Sequence, residues 1–223
     1  MGQTITLTAS DGFKLGGYRA EPSSKPKAAI VVIQEIFGVN SHIRSVCDRF
    51  AGEGYVAVAP AIFDRIEPNF QCGYSPDEVA NARKFVANPD WAAFLRDTQA
   101  AIDSVKTVGP VGIVGFCLGG SVAYAAATKL NGLNAAVGYY GGAIVRFADD
   151  KPKVPTLLHF GEKDSGIPLT DVETIKSKRP EVEIQIYPGA QHGFNCDQRT
   201  SYDKPSADLA WSRTMAFFAK HLK

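Results

Sequence analysis

Short β-branched runs that lack alternation recur at residues 28–33, 55–59, 111–115, 135–140 and 156–160, and stretches of helical period lie between most of them. Such runs suit strands buried on both faces of a sheet. Ahead of them, residues 4–9 and 13–20 flank a polar turn at Ser10-Asp11-Gly12 and predict an antiparallel hairpin. Ser41 is placed to cap a helix that carries Ile43, Val46, Cys47 and Phe50 on one face and stops at Gly54. Ser75-Pro76-Asp77-Glu78 joins a cap, a proline at the first helical position and a glutamate three residues on, predicting a helix to about Asn88-Pro89. Another helix starts at Asp90 and turns Phe94, Leu95, Ile102 and Val105 inward. A small-residue helix over 118–130 and one opened by Pro168 follow. Val182, Ile184 and Ile186 then alternate with Glu183, Gln185 and Tyr187, and a last helix lines up Trp211, Met215, Phe218 and Leu222.

Eight strands and six helices in this order imply an α/β fold: one mostly parallel eight-stranded sheet with helices on both faces and an N-terminal antiparallel hairpin. No linker, repeat or charge run divides the chain, so the reading is a single domain over residues 1–223. Composition narrows the function more than the fold. With 24 Lys and Arg against 23 Asp and Glu, the chain has no basic field for nucleic acid or an anionic membrane surface. The longest apolar runs, 28–33 and 55–61, fall far short of the roughly 20 residues of a membrane span. The expected partner is a small molecule, and the expected state a monomer or weak homo-oligomer. Cys47, Cys72, Cys117 and Cys196 are widely separated, with no C-x-x-C pair, and no basic-then-apolar leader precedes them. That pattern reads as a cytoplasmic protein with reduced thiols, no zinc motif and no cofactor.

Gly115-Phe116-Cys117-Leu118-Gly119 closes a predicted strand and opens a predicted helix, the setting in which a G-x-S-x-G nucleophile elbow works, with cysteine in the central place. The helix N-terminus favours a thiolate there, lowering a pKa of about 8.5 in free cysteine. Of four histidines, His192 stands in a loop after the last predicted strand, where active-site loops gather, whereas His159 lies in an apolar strand as a core residue. Asp164 follows the 156–160 strand, with Glu162 as the nearest competing acid. The order nucleophile, acid, histidine is that of α/β-hydrolases. Gln34-Glu35-Ile36-Phe37-Gly38 follows the first central strand, on the loop that supplies one oxyanion amide, so the Ile36 and Leu118 amides form the expected pair. Groups spread from Glu35 to His192 converge only if one sheet carries them all.

Taken together, these motifs resemble the dienelactone hydrolase family, thiol members of the α/β-hydrolase superfamily, over nearly the whole chain. The resemblance implies that Cys117 attacks a lactone or ester carbonyl, that His192 is acid and base, and that Asp164 orients it. It also implies that Glu35 takes part in activating a thiol that stays protonated until substrate displaces the carboxylate. The expected reaction is opening of a carboxymethylenebutenolide-like lactone through an acyl-thioester. A broader carboxylesterase or thioesterase on the same triad, and a non-catalytic ligand-binding or redox-sensing protein, are the alternatives. In the family two arginines hold the substrate carboxylate, one of them four residues after the histidine. Here that place is Cys196, and residues 69–75 contain no arginine. Arg199 and Arg65 are the candidates to take over, unless the ester differs. Phe37, Tyr74, Tyr140 and Phe194 are candidate wall residues.

Overall fold

The structure is a computed structural model that describes residues 2–223. Its strands are β1 (Gln3–Thr8), β2 (Lys14–Ala20), β3 (Ala29–Ile33), β4 (Val56–Pro60), β5 (Val111–Phe116), β6 (Ala135–Tyr139), β7 (Thr156–Gly161) and β8 (Glu183–Tyr187). The helices are α1 (Ser41–Gly52), α2 (Pro76–Lys84), α3 (Trp91–Val105), α4 (Leu118–Lys129), α5 (Leu169–Lys178) and α6 (Lys204–His221), with a short 3-10 turn over Ile144–Phe147.

All eight strands join one sheet in the order β1-β2-β4-β3-β5-β6-β7-β8. The β1–β2 and β2–β4 pairings are antiparallel, and the rest are parallel. Successive side chains of β3 leave opposite faces. Ile30 and Val32 join a core with Phe50 of α1 and Trp211 and Phe218 of α6. Ala29, Val31 and Ile33 join another with Phe94 and Ile102 of α3 and Ala123 of α4. The non-alternating pattern of the central strands is therefore the signature of a sheet covered on both sides.

Chain order reverses at β3: the chain passes outward to β4, then returns to place β5 on the other flank of β3. A crevice opens outside the carboxyl ends of parallel strands at such a switch point. Register pairs Ile33 with Gly115, so the segments leaving β3 and β5 emerge side by side. Those segments begin with Gln34-Glu35 and with Cys117.

Three local expectations are corrected. Asn40, not Ser41, caps α1, its Oδ1 accepting from the Ile43 amide at 3.3 Å. Ser41 becomes the first helical residue and donates its hydroxyl to Gln198 Oε1 at 2.8 Å. The Ser75–Glu78 capping box forms, but α2 stops at Lys84, because Phe85 turns into an aromatic cluster 4.1 Å from Phe70 and 5.2 Å from Phe63. In β8 the buried end residue is Tyr187, and Ile186 is 38% exposed. This border strand pairs only with β7, and Tyr187 is drawn inward where its hydroxyl meets His159 Nδ1 at 2.8 Å.

Candidate active site

Cys117 is held in a turn that only particular neighbours permit. Its φ of 56° and ψ of −116° lie in a strained region for a residue with a side chain, at a cost of about 1–3 kcal/mol. Its amide donates to the Tyr139 carbonyl at 3.0 Å, tying the turn to the next strand. A Cβ on Gly115 would strike the Gly119 carbonyl, and one on Gly119 would strike the carbonyls of Ile33 and Gln34. The two glycines let α4 approach the ends of β3 and β5, and the sulfur stands at the α4 N-terminus. Leu118 is the first residue of α4, so its amide has no carbonyl partner inside the helix.

His192 bridges the other two candidates. Its Nε2 lies 3.2 Å from Cys117 Sγ and its Nδ1 2.7 Å from Asp164 Oδ2. Asp164 is buried, and its other oxygen accepts from the Gly166 amide at 2.9 Å, which fixes the carboxylate plane. Burial opposes the His192 imidazolium, but the Cys117 sulfur and the Asp164 carboxylate outweigh it and raise the pKa to about 10. Glu162 lies elsewhere, accepting from the Gly189 amide at 2.9 Å. His159 is a satisfied core residue between the Tyr187 and Thr214 hydroxyls.

Glu35 is fully buried. Its carboxylate accepts from the Tyr74 hydroxyl at 3.2 Å and from Arg199 Nη1 at 3.3 Å. In this arrangement the carboxylate rests on Arg199 and Tyr74 while the sulfur pairs with His192. Arg199 also lies over the rings of Phe37 and Tyr74, at 5.7 and 5.9 Å.

Two cavities meet at His192 and Gly166. One, of about 310 Å³, takes in Cys117, Leu118, Ile36, Val86, Trp91 and Ile167. The other, of about 500 Å³, is lined by Tyr74, Gln191 and Gln198 and by three cations, Arg83, Lys163 and Arg199, with no carboxylate among its walls. The side that holds the sulfur is thus mostly apolar, with Arg146 and Ser121 as its polar wall residues besides His192, and the other is polar and carries three cations.

Several expected wall residues sit elsewhere. Phe37 and Phe194 are buried in the core, Phe194 5.0 Å from the ring of Tyr187. Tyr140 is also buried, beside the His192 ring at 5.1 Å, and its hydroxyl has no hydrogen-bond partner among the described residues. Arg65 is not available to a substrate. Its guanidinium forks onto buried Asp97 at 2.8–3.1 Å and pairs with Asp11 at 2.9 Å. Arg83, Lys163, Trp91 and Ile167 are lining residues that sequence reasoning missed; no motif marks them.

Among the described residues, no helix is long and apolar enough to cross a membrane. The family model for the dienelactone hydrolase family matches residues 15–222. A provisionally named carboxymethylenebutenolidase of Synechocystis is 38% identical over 99% of this chain and 97% of its own. The carboxymethylenebutenolidase of Pseudomonas putida is 31% identical over 96% of this chain and 95% of its own. The crystal structure of a provisionally named dienelactone hydrolase from Klebsiella pneumoniae superposes with a TM-score of 0.83. It is 31% identical and covers 98% of this chain and 99% of that one. Matched in this way from the second strand to the last helix, the chain belongs to the dienelactone hydrolase family, hydrolases of carboxylic ester and lactone bonds.

Proposed function

We propose that Cys117 is the nucleophile of this hydrolase and that the reaction runs through an acyl-thioester. The observation that carries this is His192, bridging Cys117 Sγ at 3.2 Å and Asp164 Oδ2 at 2.7 Å. The thiol proton passes to His192 Nε2 as the sulfur attacks the ester or lactone carbonyl carbon, and the negative oxygen that develops is met by the amides of Ile36 and Leu118. The acyl C–O bond then breaks, and the His192 imidazolium gives its proton to the leaving oxygen. His192, now neutral, takes a proton from water. The resulting hydroxide attacks the thioester carbon, releasing the carboxylic acid product and the sulfur. Asp164 holds the ring in the tautomer that both half-reactions need.

The cationic cavity supports a substrate with a carboxylate, as in a dienelactone, seated by Arg199 in place of an arginine at position 196. Arg199 would exchange Glu35 for the substrate carboxylate and free Glu35 to act on the thiol. A nucleophile that must stay reduced also fits a reducing, cytoplasmic setting, and the continuous sheet fits one domain over 1–223. No step calls for a cofactor.

Two measurements test the reading. Quenched turnover with a slow ester, followed by peptide mass analysis, should find the acyl group on Cys117 and on no other cysteine. Acylation elsewhere, or wild-type turnover by Cys117→Ala, refutes it. For the carboxylate, Arg199→Gln should raise KM for a dienelactone roughly 10- to 100-fold, the worth of a charged hydrogen bond. KM for an uncharged aryl ester should rise much less, by whatever the loss of the Glu35 partner costs; equal losses on both would remove Arg199 from carboxylate recognition.

A further inference from the structure

Behind the crevice, three potential metal ligands converge from distant parts of the chain: Glu35 after β3, His42 in the first turn of α1, and Cys196 in the loop past His192. One donor atom from each lies within 4.8 Å of the other two, and all three residues are buried. His42 is 3% exposed, and its Nε2 is buried without a hydrogen-bond partner among the described residues. Its Nδ1 faces the Asp197 carboxylate at 3.5 Å. An unpaired buried ring nitrogen is costly. A ring with one nitrogen toward a carboxylate and the other free is oriented as a metal-bound histidine is, the carboxylate fixing the tautomer. The mechanism proposed above uses neither His42 nor Cys196; it does use Glu35, which cannot serve the thiol while it holds an ion.

We propose that Glu35, His42 Nε2 and Cys196 Sγ form a site for a borderline-soft divalent ion of the zinc class. Thiolate, imidazole and carboxylate together are the donor set that such ions select over magnesium or calcium. Bonds of about 2.0–2.3 Å in a tetrahedron set neighbouring donors about 3.3–3.6 Å apart. The side chains would therefore close by no more than about 1.5 Å on binding. Binding releases the Cys196 thiol proton to solvent. The ion would share the Glu35 carboxylate with Arg199 Nη1, 3.3 Å away, and with the Tyr74 hydroxyl at 3.2 Å. Ligands at 35, 42 and 196 have no local spacing, so no metal motif is visible in the sequence.

Cobalt(II) alone is the probe, in a Cys117→Ala background so that the crevice sulfur cannot ligate. One Co²⁺ per chain should bind, with a near-ultraviolet thiolate-to-cobalt band and the strong visible bands of a tetrahedral site. Adding Cys196→Ser should abolish the near-ultraviolet band. Asp197→Asn, at an exposed position that folding tolerates, should weaken Co²⁺ binding about 10- to 100-fold, as expected of an outer-shell carboxylate. Cys47 and Cys72 remain throughout. A band that survives Cys196→Ser, binding indifferent to Asp197→Asn, or no band at millimolar cobalt would overturn the proposal.

Discussion

The two hydrogen bonds of His192 have separable effects on its titration. The Cys117 sulfur and the Asp164 carboxylate both favour the imidazolium, and burial opposes it. In Cys117→Ala the sulfur no longer favours the imidazolium, so the His192 pKa, followed by NMR of a ring-labelled sample, should fall below about 10. The linked stability follows in sign. A folded-state pKa above the ordinary 6.5 means that the protonated ring stabilises the fold fully below 6.5 and ceases to do so as pH rises through about 10. The urea midpoint of the wild type should therefore lose more between neutral pH and that point than that of Cys117→Ala. At this scale the sequence is most legible where a residue's place follows from the strand it ends. Cys117, Asp164 and His192 each leave the carboxyl end of a parallel strand, and topology brings them together. Arg65 is the opposite case: its partner Asp97 is 32 residues away, and nothing local announces that the pair closes. Arg83 and Trp91 are illegible for a related reason, since which face of a helix overhangs the crevice depends on tertiary packing.

Among the elements, the β7–β8–α6 contact turns on one buried ring. His159 of β7 joins Tyr187 of β8 to Thr214 of α6 through both ring nitrogens, at 2.8 and 3.0 Å. Complete burial holds it neutral and lowers its pKa to about 3. The unfolded chain takes up this proton below the ordinary 6.5 and the folded chain does not, so stability should fall as pH drops from 6.5 toward 3. Urea midpoints at about pH 7 and about pH 4 should differ less in His159→Gln than in the wild type; equal differences would show that other groups govern the acid limb. The apolar run over 156–160 announces a buried strand, but not that its histidine would be the joint between three elements. The β8 pattern misleads for the same reason. Alternation alone points Ile186 inward, yet at a border strand the hydrogen bond to His159 decides which residue turns in.

At the scale of the whole molecule, the catalytic candidates divide unequally across the sheet. Cys117 leaves β5 and Asp164 leaves β7, each flanked on both sides, whereas His192 follows β8, the last strand. Border strands with exposed hydrogen bonds open at lower free energy than the interior. In a urea series, hydrolysis should therefore disappear at a lower concentration than the far-ultraviolet helical signal, while alkylation of Cys117 shows the elbow still formed. Coincident transitions would show that β8 unfolds with the rest. If the order holds, the protein's useful lifetime is governed by how firmly its margin stays fastened and not by how well its middle is packed. Reinforcing the seam between β7 and β8 would then prolong activity even if the melting temperature did not move.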